Sequence, residues 1–378
     1  MRILLFYFAE LGHIGGVEMT VVKLAEAFAK RGHPAGILEF SYTWKPRRES
    51  ENGIPVWGIA APSDPTWHRP RSWGSFTRAT LQFTQVVRQF GPDVINVHYP
   101  LSQALPIIGA KFFRPRWRLV VTVHGSEIRV SPSLAPQIGR WQARLLRTAD
   151  AVTAVSESLL QDTLCKYPDP AGKSQVIPNG VGAEWFEHSS AQGNYEQKYI
   201  LFVGRLHPIK GSDLLLHAWK QLSPRFPGVQ LWLVGDGPER AKLELLTKQI
   251  GVSSTTKFLG QKTQEELPAL YRGADAYVLP SRSEGMPLCL LEAGASRALC
   301  IGTRIPGVES ILEDGVTGFL ADSESPPSLA SAIARALKLP SSENERIRNA
   351  MQALIRRDYF EGKMISRYLE LFESLLNN

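Results

Sequence analysis

The sequence predicts an α/β protein with two doubly wound, parallel-sheet domains of Rossmann-like topology. Short apolar segments rich in β-branched residues alternate with amphipathic helical patterns along nearly the whole chain, which is typical of parallel α/β architecture. The alternation occurs as two series, separated by a polar stretch at 188–194. With 378 residues, of which 43% are hydrophobic, the chain is long enough to form two cores.

The first series predicts an amino-terminal domain, 1–188. Its expected strands are short apolar segments bounded by turn residues. They are Ile3–Phe8, Gly36–Phe40, Pro55–Ile59, Val94–Tyr99, Leu119–His124, Ala151–Ser156 and Gln175–Pro178. Apolar residues at helical spacing predict the connecting helices near 16–31, 73–90, 136–149 and 157–166.

The second series predicts a carboxy-terminal domain, 195–358. Its expected strands are Tyr199–Gly204, Gln230–Val234, Thr256–Leu259, Ala276–Leu279, Cys300–Gly302 and Gly318–Leu320. Its expected helices lie near 212–222, 238–250, 264–272, 287–297 and 327–338. The closing segment 359–378 is amphipathic, with apolar residues at helical spacing from Tyr359 to Leu375.

The cysteine and hydropathy patterns exclude several classes of protein. The three cysteines include no CxxC pair, which disfavours a disulfide framework and a structural zinc site. The apolar run Ile3–Ala9 is too short for a signal peptide, and no segment reaches about 18 uninterrupted apolar residues. We therefore expect a cytoplasmic protein that is soluble or bound to the inner face of the membrane.

The net charge of +7 is carried mainly by basic runs in the first half of the chain. Arginines alternate with aromatic residues at 69–73 and 111–118, and further arginines lie between Arg140 and Arg147. Such runs bind anionic lipid headgroups or phosphorylated acceptors, or they form solvated surface. Nucleic acid is disfavoured because no recognition helix, RNP-type or zinc-finger spacing accompanies the charge.

The turn after the predicted strand Ala276–Leu279 carries two carboxylates, Glu284 and Glu292, eight residues apart. Pro287 suits the start of a helix, whose free amides would face an anion. Ligands of open parallel sheets bind beyond the carboxyl ends of the strands, and two facing sheets would form a cleft. Glu284 is therefore expected at the reacting group and Glu292 at a diol.

Other strand ends carry further candidates. Gly15 and Gly16 open a helix, where backbone amides approach a phosphate or simply make a tight turn. His124 ends a strand and either reaches into the cleft or bonds within its own loop. Arg205 and Lys210 either converge on one dianion or are surface charges.

The motifs that the chain lacks narrow the chemistry. No two aspartates are two residues apart, so no Asp-x-Asp pair holds a divalent ion on a diphosphate, and we expect no metal and no cofactor. The glycine spacing is not GxGxxG, which disfavours an NAD-dependent dehydrogenase. The chain also has no P-loop and no Gly-x-Ser-x-Gly turn, which disfavours kinases, ATPases and hydrolases.

Taken together, these motifs resemble the retaining glycosyltransferases of family 4, which have the two-domain GT-B fold. The resemblance runs in order over nearly the whole chain. It rests on Gly15-Gly16-Val17-Glu18, His124-Gly125, Ile177-Pro178-Asn179-Gly180, Val203-Gly204-Arg205 with Lys210-Gly211, Val234-Gly235-Asp236-Gly237-Pro238, Phe258-Leu259-Gly260, Glu284-x7-Glu292 and Pro306-Gly307-Val308-Glu309 with Asp314-Gly315-Val316-Thr317-Gly318.

The resemblance implies a role for each candidate residue. It implies that Arg205 and Lys210 bind the nucleotide diphosphate, that Glu292 holds the ribose hydroxyls and that Glu284 contacts the donor sugar. The turn that touches the sugar and phosphate through its amides would consist of Gly285, Met286, Pro287 and Leu288, of which Pro287 has no N–H to donate.

The remaining candidates receive roles from the same resemblance. It implies a first-domain phosphate loop at Gly15 and Gly16, a contact of His124 with the donor sugar, and a base-lining segment at Gly260 and Gln261. It also implies that the closing helix crosses back to the first domain. Val17, Met286 and Cys289 depart from the common family pattern, which leaves the donor sugar open.

The implied activity is transfer of a hexosyl or N-acetylhexosaminyl group from a UDP- or GDP-linked sugar to a glycan, glycolipid or lipid-linked acceptor. The reaction would be a metal-independent front-face substitution, and the basic first domain would contact anionic membrane. Three alternatives stay open: a sugar-nucleotide epimerase, a phosphorylase of the same fold, and a non-catalytic binder of nucleotides or anionic membranes. A two-carboxylate hydrolase is disfavoured because Glu292 is expected at the ribose.

Overall fold

The computed structural model describes residues 1–7, 15–41, 48–49, 52–60, 70–101, 105–112, 116–129, 136–187 and 197–377. Phe8, the last residue of the first expected strand, the linker 188–194 and part of the basic runs lie outside the described residues. The chain forms two compact units. Unit 1 comprises Met1–Asn179 and Met364–Asn378, and unit 2 comprises Gly180–Lys363.

Within the described residues, unit 1 contains an eight-stranded sheet of order β3-β4-β2-β1-β5-β6-β7-β8. The strands are β1 Ile3–Tyr7, β2 Ala35–Ser41, β3 Arg48–Glu49, β4 Pro55–Ala60, β5 Val94–His98, β6 Arg118–Val123, β7 Ala151–Ala154 and β8 Ser174–Val176. All pairs are parallel except that of the short edge strand β3, which the sequence did not predict. The helices are α1 Gly16–Lys30, α2 Pro70–Phe90, α3 Leu105–Phe112, α4 Ser126–Arg129, α5 Pro136–Thr148 and α6 Glu157–Lys166.

The described part of unit 2 contains a six-stranded, fully parallel sheet of order β11-β10-β9-β12-β13-β14. The strands are β9 Lys198–Val203, β10 Val229–Val234, β11 Thr256–Gly260, β12 Ala276–Leu279, β13 Cys300–Thr303 and β14 Phe319–Ala321. The helices are α7 Ser212–Leu222, α8 Arg240–Gln249, α9 Leu267–Gly273, α10 Leu288–Ala295, α11 Pro306–Glu309, α12 Pro326–Leu337 and α13 Ser341–Asp358.

The strand order confirms the predicted fold class of two doubly wound α/β sheets. In unit 2 the order reverses between β9 and β12, and in unit 1 it reverses between β1 and β5. Central strands such as β1 and β12 are buried at every position, because helices cover both faces of a parallel sheet. Loops that leave neighbouring strands at a reversal point diverge and leave a crevice for a ligand.

The closing helix, α14 Glu361–Asn377, packs into the core of unit 1, as predicted. Its buried face consists of Met364, Ile365, Tyr368 and Phe372. The ring of Phe372 contacts that of Phe28 edge-on, with 5.9 Å between ring centroids. The helix therefore completes a core whose strands come from the other end of the sequence.

The chain passes from one unit to the other twice, after Asn179 and after Lys363. The segments next to these two crossings are joined by hydrogen bonds. The amide of Val181 donates to the carbonyl of Tyr359 at 2.9 Å, and the amide of Glu361 donates to the carbonyl of Val181 at 3.0 Å. A Cβ atom at Gly180 would lie 2.5 Å from the Cα of Glu361. Only glycine fits this close backbone approach.

The short helices α3, α4 and α11 were not predicted, and two longer helices differ from the prediction for identifiable reasons. Helix α13 was not expected, because its 18 residues are mostly polar and bury only Ile347, Met351 and Ile355, four residues apart. Helix α10 begins one residue later and ends two residues earlier than the expected 287–297. It ends because Arg297 adopts a left-handed backbone with φ of 61°, a common helix termination.

None of the described helices is both long enough and apolar enough to cross a membrane.

We expect Phe372→Ala to lower the free energy of unfolding by about 3–5 kcal/mol, because the ring is fully buried and its removal leaves a cavity. The matched control is Leu376→Ala on the same helix, where the side chain is 38% exposed and the cost should be below about 1 kcal/mol. Chemical denaturation measures both. Equal costs would show that α14 does not stabilise unit 1.

Candidate functional site

An ion pair joins the loops that follow the neighbouring strands β9 and β12. The Lys210 Nζ lies 2.6 Å from Oε1 of Glu284, and the hydroxyl of Ser281 donates to the same oxygen at 2.7 Å. The side chains of Lys210 and Glu284 are 23% and 10% exposed. Burial alone would lower the pKa of Lys210, but the Glu284 carboxylate outweighs it and raises the pKa. Lys210 therefore stays charged.

Hydrogen bonds from Arg282 connect the same two loops. Its amide donates to the carbonyl of Ile209 at 2.8 Å, and its guanidinium donates to the carbonyl of Pro208 at 2.5 Å. The same guanidinium nitrogen and one further nitrogen bond the two carboxylate oxygens of Asp213 at 2.8 Å each. The hydrogen bonds to Asp213 raise the pKa of Arg282 above its ordinary value. Sequence analysis missed Arg282, because its partner Asp213 is 69 residues away in the chain.

Gly211 lets the two loops approach each other. Its φ of +65° lies in the left-handed region that favours glycine. A Cβ atom at this position would also lie 2.0 Å from the carbonyl oxygen of Pro280. The glycine that follows Lys210 is thus required for conformation and for space.

Backbone hydrogen bonds connect the loop after β9 to the loops after β10 and β11. The amide of Gly204 donates to Val234 at 3.0 Å, and the amide of Gly235 donates to Gly260 at 2.8 Å. Gly235 has φ of +123°, and a Cβ atom there would lie 2.0 Å from the Gly204 carbonyl oxygen. The strand ends that carry Arg205 and Gly260 are therefore fixed against one another.

Arg205 is exposed, and its guanidinium makes no hydrogen bond or ion pair with any other residue in the described part of the chain. Gln261 is also exposed, and Gly260 is partly buried beside it. These residues and the Lys210–Glu284 pair all lie at the carboxyl ends of the unit 2 strands. The structure thus places Arg205, Lys210, Gly260, Gln261 and Glu284 on loops at a single sheet edge.

Glu292 lies on α10 and is 9% exposed. The hydroxyl of Tyr271 donates to its Oε2 at 3.4 Å. Burial, assisted by the negative charge of Glu292, raises the pKa of Tyr271 well above its ordinary value, so the phenol keeps its proton. The ring of Tyr271 packs edge-on against Trp185 and Tyr277, with centroid distances of 6.0 and 5.3 Å. Tyr271, which sequence analysis missed, therefore provides a hydrogen-bond donor to the Glu292 carboxylate from a closely packed aromatic cluster.

The start of α10 is closely packed. Gly285, Met286 and Pro287 are buried, and Leu288 is the first helical residue. A Cβ atom at Gly307 of α11 would lie 2.3 Å from the Glu284 carbonyl oxygen, so α11 packs directly against this segment. The amides of Gly285, Met286 and Leu288 therefore lie on a closely packed backbone.

Cys289 lies beside the charged pair but is not suited to act as a nucleophile. Burial raises the pKa of its thiol to about 11, and the nearby Lys210 ammonium only partly opposes this. The thiolate, which is the reactive form, is thus scarce near neutral pH. Among the described residues, no group of three His, Cys, Asp or Glu side chains is arranged to hold a metal ion.

The remaining predicted residues belong to unit 1. Helix α1 begins at Gly16, which is exposed, and Gly15 precedes it with extended backbone, φ −142° and ψ 152°. Neither glycine adopts the left-handed region. The preceding turn residues 8–14 lie outside the described part of the chain.

His124 follows β6 and bonds to a second histidine rather than only to its own loop. Its Nε2 lies 3.0 Å from Nδ1 of His98. Burial lowers the pKa of His124 to about 3 and, together with the neighbouring ring, lowers the pKa of His98 well below its ordinary value. Both imidazoles are therefore neutral at physiological pH.

Glu127 supports the backbone of the His124 turn. One carboxylate oxygen accepts the amide of His124 and the other accepts the amide of Gly125 at 2.9 Å. The side chain is fully buried, which raises its pKa to about 7 although the two amides lower it. Sequence analysis did not select Glu127. The one feature of the sequence that could have indicated it is its position, three residues after a histidine that ends a strand.

Two family models match the two halves of the chain. Residues 184–353 match "Glycosyl transferases group 1", and residues 14–185 match "Glycosyltransferase Family 4". Among relatives, the chain is 27% identical to D-inositol 3-phosphate glycosyltransferase of Corynebacterium urealyticum over 97% of this chain and 92% of that protein.

Two solved structures share the fold over their full length. Sucrose-phosphate synthase from Thermosynechococcus elongatus superposes with a TM-score of 0.83 at 21% identity, covering 100% of this chain and 99% of that one. The Anabaena protein HepE, in complex with UDP and glucose, superposes with a TM-score of 0.82 at 20% identity, covering 99% and 100%.

We expect the stability of the wild type to fall between pH 5 and pH 8 relative to Glu127→Gln, by on the order of 2 kcal/mol. The pKa of Glu127 is raised by folding, so its contribution is fully present below the unfolded value of 4.5 and is lost as the pH rises through about 7. The glutamine cannot ionise. Chemical denaturation at both pH values measures the difference, and parallel pH profiles would contradict the assignment.

Proposed function

Because the chain belongs to the group 1 and family 4 glycosyltransferases, we propose that it transfers a hexosyl or N-acetylhexosaminyl group from a UDP- or GDP-linked sugar. The acceptor is a glycan, glycolipid or lipid-linked saccharide, the anomeric configuration is retained, and no metal ion takes part. The observation that carries the proposal is the Lys210–Glu284 pair beside the exposed Arg205 at one sheet edge. The UDP and glucose named for the HepE structure support a sugar-nucleotide donor.

Lys210 and Arg205 are assigned to the diphosphate of the donor. An ammonium group has three N–H donors, and within the described residues the Glu284 carboxylate takes one of them. The others can bond phosphate oxygens, while the planar Arg205 guanidinium can bond two oxygens at once. Two fixed cations supply the charge that a divalent metal ion would otherwise provide.

The reaction is a front-face substitution at the anomeric carbon. The bond from that carbon to the diphosphate oxygen breaks, the acceptor oxygen bonds to the same face, and the acceptor proton passes to the departing phosphate. Negative charge grows on the diphosphate as it leaves. Stabilisation of that charge by Lys210, Arg205 and the amides at the start of α10 is the largest contribution expected from the protein.

The carboxylates bind hydroxyl groups rather than share one proton-transfer step. Glu292, held by Tyr271, is assigned to the ribose hydroxyls, and Glu284 to the donor sugar beside the reacting carbon. Gly260 and Gln261 are assigned to the base. In the first domain, Gly15 and Gly16 are assigned to phosphate and His124 to the donor sugar.

The acceptor is assigned to the first domain, 1–188 with 359–378, and the donor to 195–358. Arg140, Arg144 and Arg147 are exposed at helical spacing along one face of α5, which supports contact with an anionic acceptor or with the inner membrane surface. Arg147 also pairs with Asp169 at 2.8 Å.

We expect Lys210→Ala and Glu284→Ala each to lower kcat for transfer by about 100-fold or more. The first removes a cation from the leaving diphosphate, and the second removes the carboxylate that bonds Lys210 and is assigned to the donor sugar. The matched control is Lys242→Ala, an exposed lysine of unit 2 that pairs with Glu239 and should change kcat less than twofold. Transfer at near wild-type rate in either site variant would refute the assignment.

The donor is identified beforehand by a thermal-shift screen of UDP, GDP and ADP sugars, followed by turnover with the best one. Turnover without any acceptor would indicate an epimerase, and dependence on inorganic phosphate would indicate a phosphorylase. Stabilisation without turnover would indicate a binding protein.

A further inference from the structure

The His98–His124 pair lies at the ends of two neighbouring strands of unit 1. His98 is the last residue of β5 and is fully buried, whereas His124 follows β6 and keeps 9% of its surface exposed. The Nδ1 of His98 lies 3.0 Å from the Nε2 of His124, and the ring centroids are 5.3 Å apart. The inner ring therefore contacts the outer ring directly.

Each ring of the pair carries a single N–H. Both imidazoles are neutral, because burial lowers the pKa of each. A hydrogen bond between two neutral rings has two arrangements: His98 donates from Nδ1, or His124 donates from Nε2. The choice fixes which nitrogen of His124 holds its proton.

The buried end of His98 distinguishes the two arrangements. Its Nε2 is buried and has no hydrogen-bond partner among the described residues. If His124 donated, His98 would hold its own proton at that Nε2, as a buried N–H without an acceptor. Buried N–H groups without a partner are rarer in folded proteins than acceptors without one. The arrangement in which His98 donates from Nδ1 is therefore favoured.

We propose that His98 is a positioning residue that donates Nδ1–H to Nε2 of His124 and thereby makes His124 present Nδ1–H, a neutral hydrogen-bond donor. Within the described residues, no hydrogen bond is formed to Nδ1 of His124. The ligand it would meet is an oxygen acceptor, such as a hydroxyl of the donor sugar. This last step rests on the proposed function, whereas the tautomer itself does not.

The surroundings hold both rings in place. Tyr368 of α14 packs against His98 with 6.3 Å between ring centroids, and its hydroxyl lies 3.4 Å from that of Thr122. Glu127 holds the backbone of the His124 turn through two amides. The backbone and the ring of His124 are thus fixed by different residues, and in the described part of the chain His98 is the residue that bonds the ring nitrogen.

The tautomer is measured directly in the wild-type protein by ¹⁵N NMR of selectively labelled histidine rings. The chain has eight histidines, and the His124 signals are assigned by their loss in His124→Asn. We expect the Nδ1 of His124 to show a protonated-nitrogen shift and its Nε2 an unprotonated one. A proton on Nε2, or rapid exchange between both nitrogens, would overturn the proposal.

Activity then tests whether the bond matters. His98→Leu is expected to lower kcat/KM for transfer by about tenfold or more, comparable with the cost of removing the hydrogen-bond partner of a metal-binding histidine. His98→Asn should recover to within threefold of wild type, because its amide nitrogen stands as many bonds from Cα as Nδ1 does. Equal impairment of both variants would overturn the positioning role.

The matched control is Asn96→Leu. Asn96 is also fully buried and lies two residues earlier on β5, on the same face, but it bonds Thr122 rather than His124. Its kcat/KM should stay within twofold of wild type. If Asn96→Leu lost as much activity as His98→Leu, the loss would come from removing any buried polar side chain of β5, and the proposal would be wrong.

Failure of the proposed function is distinguishable from failure of this inference. If no sugar nucleotide supports transfer by the wild type, the proposed function fails, while the ¹⁵N spectrum still decides the tautomer. If transfer occurs but His124 carries its proton on Nε2, the proposed function stands and the positioning role is wrong.

Discussion

The candidate site depends on the guanidinium of Arg282, which connects the loops that follow β9 and β12. Arg282 bonds the carbonyl of Pro208, the carboxylate of Asp213 and, through its amide, the carbonyl of Ile209. The Lys210–Glu284 pair spans the same two loops, so its 2.6 Å separation is kept by backbone that Arg282 has already fixed. A half-buried ion pair is favourable only when its geometry is maintained, since both charges have lost water.

The two units hold polar groups in opposite ways. In unit 2 the strand ends keep full charges, each offset by a partner or left at the surface, as at Lys210 and Arg205. In unit 1 burial removes charge instead, and His98 and His124 meet as neutral rings. Fixed charge attracts an anionic ligand over some distance, whereas neutral donors and acceptors act only at contact. Of these two sets of strand-end residues, the set in unit 2 is therefore the one that would attract a diphosphate.

The sequence predicted what is local and missed what is long-range. Strand positions and the glycines of the turns follow from apolar runs and backbone geometry, so segments such as β12 and α7 match the expected ranges. Helix α13 was missed because a narrow apolar stripe in a polar segment gives little periodic signal. Arg282 and His98 were missed because their partners are 69 and 26 residues away, and no spacing rule encodes that contact.

The packing of α14 has a consequence for how the protein matures during translation. Unit 2 consists of one continuous stretch of chain, Gly180–Lys363, so it can fold as soon as that stretch leaves the ribosome. Unit 1 begins the chain, yet Tyr368 and Phe372 of its core are synthesised after unit 2 is complete. Its nascent sheet exposes an apolar face throughout that interval. The unit made first is thus finished last, and during that time it is the one exposed to chaperones and proteases.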